Sequence, residues 1–187
     1  MMAWKNDQVS EKDTDRIIEL AKSVLNVEGD YVEFGCYKGD TSLLLADIVF
    51  SGPSRARLFI YDSFEGLPEK GEADKSVLGV AFRGGELAVT KREVKERFLR
   101  AGLPVPVIKK GWFKDLTEAD LPEKIAFAFL DGDFYESIRD SLRLVSPRMA
   151  PDGVLVVHDY TNPALPGVKR AVDEWGVDGR KFRVVLL

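Results

Sequence analysis

Glu33, Gly35 and Gly39 are the first residues whose types and spacing suggest chemistry, within Tyr31-Val32-Glu33-Phe34-Gly35-Cys36-Tyr37-Lys38-Gly39-Asp40-Thr41-Ser42. They read E-x-G-x-x-x-G across an apolar strand and the start of a helix. Glycine lets backbone approach a nucleotide-like ligand where a Cβ would crowd it. The pattern differs from G-x-G-x-x-G, the dinucleotide-binding fingerprint, whose first two glycines stand only two residues apart. Asp62 lies 23 residues after Gly39, at the end of the next apolar run. A carboxylate there can accept both ribose hydroxyls of an adenosine. Together these residues point away from nicotinamide chemistry and towards S-adenosylmethionine.

A second constellation comprises Asp131, Asp133, His158 and Asp159, with His158 the only histidine of the chain. Three carboxylates at two neighbouring strand ends repel one another unless a counter-charge intervenes. A hard divalent cation such as Mg²⁺ supplies one through oxygen ligands. Imidazole suits softer metals better, and with an ordinary pKa near neutrality it also suits a general base. Asp133 sits where it could cap the helix that follows. Cys36, inside the glycine turn, reads as a small packing residue, since no partner histidine lies near it in sequence.

The elements that must position these groups follow from hydrophobic periodicity. Residues 11–26 predict a leading amphipathic helix with Ile17, Ile18, Leu20, Ala21, Val24 and Leu25 on one face. Strands are expected at 31–35, 57–62, 105–109, 124–131, 153–158 and 182–187. Helices are expected from Asp40, which is placed to cap its own helix, and at 90–101, 135–149 and 167–175. The strands are continuous apolar runs rather than alternating ones, as when helices cover both faces of a parallel sheet. The fold class is therefore α/β, doubly wound and mostly parallel, with ligands at the carboxyl ends of the strands. All the acidic residues singled out above fall at such ends. The glycine-rich, charged segment 63–88 is long for a connection inside a compact domain and is expected to form a mobile lid over the site or, alternatively, a disordered insert.

The 187 residues fit one domain, 1–187, with a leading helical segment at 1–29. A net charge of −4 excludes a global basic field for nucleic acid or an anionic membrane. The bases at Lys91 to Arg100 and at Lys109-Lys110 read as solvated faces. One cysteine excludes an internal disulfide and a thiol-rich zinc site. The amino-terminal residues lack the apolar core of a signal peptide, so a cytoplasmic location is expected.

The chain resembles the class I S-adenosylmethionine-dependent methyltransferases, specifically the macrocin O-methyltransferase-like family. The segments that carry the resemblance are V-E-F-G-C-Y-K-G at 32–39, Y-D-S-F-E-G-L-P at 61–68, K-G-W-F-K-D-L at 110–116, L-D-G-D-F-Y-E-S at 130–137 and H-D-Y at 158–160. It implies that Glu33, Gly35 and Gly39 line the methionine part of the cofactor and that Asp62 holds its ribose. It places Trp112 and Phe113 near the adenine, where an aromatic wall adds burial and stacking. Tyr37, Ser42 and Ser63, in the same motifs, complete the expected cofactor set. The resemblance further implies a divalent metal on Asp131 and on an acidic pair before tyrosine, gripping neighbouring hydroxyls of the acceptor. Here His158 stands in place of the first acid of that pair, beside Asp159. Family members commonly continue into an antiparallel strand pair, so this sheet is expected to lack its last antiparallel strand.

The expected function is O-methylation of a small-molecule hydroxyl, such as that of a sugar or natural product, by in-line displacement at the sulfonium methyl. Expected cofactors are S-adenosylmethionine and Mg²⁺ or another divalent cation. Asp131 and His158 are the candidate catalytic groups, and Asp131, His158 and Asp159 the candidate metal ligands. No nucleic acid or membrane partner is expected, and a homo-oligomer is compatible with the sequence. The rivals are an S-adenosylmethionine-binding pseudoenzyme or regulatory protein without turnover and a nucleotide-linked oxidoreductase.

Overall fold

The computed structural model describes residues 7–53, 55–78 and 82–187. Six strands, β1 (Asp30–Phe34), β2 (Leu58–Asp62), β3 (Val107–Lys110), β4 (Ile125–Leu130), β5 (Met149–Val157) and β6 (Arg183–Leu186), form one sheet in the order β3-β2-β1-β4-β5-β6. Every pairing is parallel. The chain winds outward from β1 to β3, then crosses back to β4 and winds outward the other way. The order therefore reverses between β1 and β4, which sets the ligand crevice at their carboxyl ends.

Helices cover both faces, as the unbroken apolar strands require. On one face lie α1 (Glu11–Ser23), α2 (Asp40–Ser51) and α3 (Lys91–Arg100), contributing Ile17, Leu20, Leu43, Leu45, Val94 and Phe98 to the core. On the other lie α4 (Tyr135–Val145) and α5 (Pro166–Trp175), contributing Ile138, Leu142, Val168 and Val172. Central β4 is buried throughout and alternates between them, with Phe127 and Phe129 on the first face and Ala128 and Leu130 on the second. No helix among the described residues is long and apolar enough to cross a membrane.

Three helix readings differ from expectation, and the strand expected from 153 begins at Met149. The leading helix ends at Ser23 rather than Asn26. The helix expected over 135–149 stops at Val145, followed by a single 3-10 turn, Ser146–Arg148, around Pro147. Proline supplies no amide for the helix ladder, and Met149 already pairs with Ile125 as the start of β5. Asp40 does not cap α2: the cap is Gly39, and the Asp40 carboxylate instead pairs with Arg97 of α3.

The segment expected as a lid is tied down where it is described; its residues 79–81 lie outside the described residues. The Leu67 amide donates to Glu86 O (2.8 Å), and the Gly85 amide returns a bond to Leu67 O (2.8 Å). Phe64 and Leu67 are buried.

Gly35 fixes how closely the two central strands approach at the crevice. Its φ is +85°, and a Cβ there would lie 2.0 Å from the Asp131 carbonyl oxygen. A side chain there would collide with the backbone of the β4 end, so the glycine is required by the protein itself as well as lining the cavity. At Gly39 a Cβ would come 3.3 Å from the Val94 side chain, again a protein neighbour. Gly35→Ala should therefore destabilise the fold well beyond the ~1–2 kcal/mol of left-handed strain alone. Gly102 has a φ of +69° with nothing within 4 Å of a built Cβ. Gly102→Ala should show only that strain in denaturant unfolding; equal losses for the two variants would refute the close-approach role.

Candidate active site

A cavity opens at the carboxyl ends of β1, β2 and β4, on the reversal of strand order. Its first half is built on β1, β2 and the turn into α2. Glu33, on β1, is buried, and its carboxylate accepts a hydrogen bond from the Ser42 hydroxyl of α2. Burial pushes its carboxyl up from 4.5 to about 8; the Ser42 bond opposes the rise, and the nearby acids Asp131, Asp62 and Asp40 add to it. Asp62 closes β2 and organises both loops beside it. Its Oδ2 accepts from the Cys36 and Tyr37 amides (2.8 and 3.3 Å) and its Oδ1 from the Phe64 amide (2.7 Å). A carboxylate has about four acceptor positions, so capacity remains for ligand hydroxyls. Ser63 braces the same turn, donating to Gly66 O and accepting from the Glu65 amide, each at 3.0 Å. Trp112 and Phe113 follow β3 and wall the cavity, with Phe113 edge-on to Phe34 at 5.1 Å between ring centroids.

The second half is built on the ends of β4 and β5. His158 is buried, with Nδ1 3.0 Å from both Asp131 Oδ1 and Asp159 Oδ2. Burial opposes charge on the ring, but the two carboxylates outweigh it and push the imidazole up to about 11. His158 thus sits between two acids that favour its charged form. Asp159 is held by Asn162, whose Nδ2 donates to Asp159 Oδ1 at 2.8 Å. Burial works to raise the Asp159 carboxyl, but the hydrogen bond and charge of His158 bring it below its usual value. Asp133 faces the same cavity. Desolvation and the neighbouring carboxylates of Asp131 and Asp159 push its carboxyl well above the usual range.

Backbone strain is concentrated here. Seven non-glycine residues among those described have a positive φ, and five of them, Tyr37, Phe82, Leu87, Asp133 and Asp159, line the cavity. Such conformations cost on the order of 1–3 kcal/mol each and persist where surrounding structure imposes them, often at functional sites.

The sequence profile of the macrocin-O-methyltransferase family (TylF) matches residues 9–181. The chain belongs to that family. It is 35% identical over 156 residues to the 8-demethyl-8-(2,3-dimethoxy-alpha-L-rhamnosyl)-tetracenomycin-C 4'-O-methyltransferase of Streptomyces olivaceus, covering 80% of this chain and 58% of the relative. It is 34% identical to the demethyldecarbamoylnovobiocin O-methyltransferase of Streptomyces niveus, covering 80% of this chain and 59% of that protein. The chain thus spans about three fifths of the length of these curated relatives. Among solved structures, the O-methyltransferase NovP superposes with a TM-score of 0.75 at 31% identity, covering 88% of this chain and 70% of NovP. An O-methyltransferase from Bacillus cereus in complex with SAH shares the fold, with a TM-score of 0.61 at 16% identity, over 91% of this chain and 71% of that one.

Within this family frame, the structure brings most of the expected site residues to one cavity: Glu33, Gly35, Tyr37, Asp62, Ser63, Trp112, Phe113, Asp131, His158 and Asp159 all line it. Gly39 and Ser42 stand behind the wall. Gly39 starts α2 in a left-handed conformation, and Ser42 orients Glu33 rather than facing the cavity. Asp133 was open to reading as a helix cap, but the cap of α4 is Phe134, without a side-chain bond. Asn162 was missed; its three-residue offset from Asp159 in a turn was the available signal. Cys36 lines the cavity as a buried thiol, pushed well above its usual value by burial and by Asp62 and Glu33, as suits packing rather than attack.

Glu33 gives a stability signature that needs no ligand. Its folded pKa of about 8 lies above its ordinary 4.5, so the native state holds this proton where the unfolded chain has lost it. Its contribution is complete below 4.5 and is lost as pH rises towards 8. Relative to Glu33→Gln, the wild-type chain should therefore lose stability in urea unfolding from pH 5 to 8, with the difference levelling above that. A pH-independent difference would show that Glu33 is not desolvated.

Proposed function

We propose that this chain transfers a methyl group from S-adenosylmethionine to a hydroxyl of a small natural-product molecule, with a sugar hydroxyl the best-supported acceptor. The observation that carries this reading is the charge of the cavity. Asp62, Asp131 and Asp159 line it, against the cations Lys38 and His158, and the neutral carboxyls of Glu33 and Asp133 beside them can ionise when a cation arrives. S-adenosylmethionine brings a sulfonium and an ammonium, which such a wall attracts, whereas the pyrophosphate of a nicotinamide dinucleotide would meet carboxylates. The names of the relatives support the acceptor class, since that of the S. olivaceus protein specifies a rhamnosyl group.

In this reading Glu33 and the 36–39 turn take the methionine portion, Asp62 the ribose, and Trp112 with Phe113 the adenine. The donor methyl then points towards the ends of β4 and β5. Alignment of donor and acceptor supplies much of the rate. Asp133, at the end of β4, is placed to accept the hydroxyl proton in its ionised form, which a bound cationic donor favours. Segment 63–88 covers the acceptor side with Leu67, Pro68, Phe82 and Leu87.

The donor set at Asp131, His158 and Asp159 fits a divalent cation. One donor atom from each residue falls within 4.8 Å of the others, and Nδ1 stands 3.0 Å from each carboxylate oxygen. Adjacent ligands of a cation with bonds of about 2.1 Å lie about that far apart. The nitrogen shifts the preference from Mg²⁺ towards Mn²⁺ or Zn²⁺. When bound, such an ion would act as a Lewis acid on the acceptor hydroxyls. Without it, the His158 imidazolium supplies the counter-charge between the two acids.

Methyl transfer from labelled S-adenosylmethionine to a panel of glycosides, with metal-stripped and Mn²⁺-, Zn²⁺- or Mg²⁺-supplemented protein, tests these assignments. Activity should return best with Mn²⁺ or Zn²⁺. Asp133→Asn should lower turnover by about 10²-fold or more while leaving donor affinity within a few fold. Full activity in excess chelator would remove the metal from the account, and unchanged turnover in Asp133→Asn would remove the base.

A further inference from the structure

The amino end of α4 is capped from a distant part of the chain. Asp74 sits in a single 3-10 turn, Glu72–Asp74, inside segment 63–88, and is only 2% exposed. Its Oδ1 accepts from the Tyr135 amide at 2.7 Å, the first residue of α4, and its Oδ2 accepts from the Gly71 amide at 3.2 Å. α4's own cap residue, Phe134, offers no side-chain bond. A carboxylate at this position satisfies an otherwise orphaned amide and complements the helix dipole.

Three elements meet at this carboxylate. Gly167, in the first turn of α5, packs directly on it: a Cβ there would lie 1.8 Å from Asp74 Oδ1 and 2.9 Å from the Tyr135 nitrogen. Two residues on, the Ser76 hydroxyl donates to Pro163 O at 2.8 Å, joining the same segment to the turn that carries Asp159 and Asn162. The residues just before α4 are Asp131-Gly132-Asp133-Phe134. There Asp133 holds a φ of +58° and the Phe134 amide bonds back to Gly132 O at 2.6 Å. A turn this tight and strained needs its downstream end fixed.

We propose that Asp74 is a positioning residue for the methyl-transfer site. It locks the Asp131–Asp133 turn in shape from the acceptor-side segment and so couples cavity cover and acidic turn into one rigid unit. This inference rests on the proposed function. It assigns Asp74 no contact with donor or acceptor; its action passes through the Tyr135 amide.

The test uses Asp74→Ala, Asp74→Asn and Gly167→Ala in the full chain, each checked for wild-type circular dichroism. Asp74→Ala should speed hydrogen exchange in peptides covering 131–138 and lower kcat at least tenfold. Its Kd for S-adenosylhomocysteine should stay within about twofold of wild type. Asp74→Asn keeps an oxygen acceptor for Tyr135 and should recover most of the turnover. Gly167→Ala pushes the carboxylate away from the other side and should reproduce the alanine phenotype even if Asp74→Ala does not fold. Unchanged exchange at 131–138 in Gly167→Ala, or in a folded Asp74→Ala, would overturn the proposal. So would parallel losses of kcat and donor affinity, which mark a general structural role. If the wild-type chain transfers no methyl group, the proposed function fails separately, and the exchange data alone decide whether Asp74 locks the turn.

Discussion

The close approach of β1 and β4 at Gly35 is the constraint on which the site depends. With only hydrogen on Gly35, the Asp131 carbonyl can pack against its Cα, and the ends of two parallel strands are drawn together at the reversal of strand order. The consequence is electrostatic. Acids from β1, β2, β4 and β5 are forced into one cavity, where each raises the cost of ionising the next. The molecule relieves part of this with its own cations. His158 lies between Asp131 and Asp159, and Arg97 neutralises Asp40. Glu33 has only a neutral serine hydroxyl as its hydrogen-bond partner and stays largely protonated.

That imbalance makes chemical sense in a site awaiting a cationic ligand. A carboxyl kept neutral by burial becomes a strong anchor once an ammonium or sulfonium arrives, because the low-dielectric surroundings that penalised its charge then strengthen the pair. The same economy recurs at the end of β4, where Asp133 is strained in backbone and raised in pKa. Strained turn residues at the cavity are carried by ordinary rigid neighbours: the α4 amino end held by Asp74, the β5 turn held by Asn162, and the glycine turn held by Asp62.

Much of this architecture was legible in the sequence because its causes are local. Continuous apolar runs marked the parallel strands, and helical periodicity marked their covers. Acids at strand ends marked the crevice. What was not legible depends on partners far along the chain. Asp40 looked like a helix cap because its pairing with Arg97 spans 57 residues, and no local pattern announces it. Asp74 lies in the charged segment 63–88 with no local pattern to single it out, since its partner Tyr135 is 61 residues away. His158 reads in sequence as a metal ligand or a base of ordinary pKa, whereas its titration is governed by two carboxylates that meet it only in the fold. The glycines of the first motif were correctly placed, but the groups that require them are protein backbone and a valine side chain.

The central claim, that a buried neutral Glu33 receives a cationic donor, is tested most directly by calorimetry of S-adenosylmethionine binding near pH 7 in two buffers of different ionisation enthalpy. Glu33, with a pKa of about 8, should lose its proton on binding. The account predicts a net release approaching one proton, abolished in Glu33→Gln along with much of the affinity. Binding without proton release, or with the same release in Glu33→Gln, would contradict it.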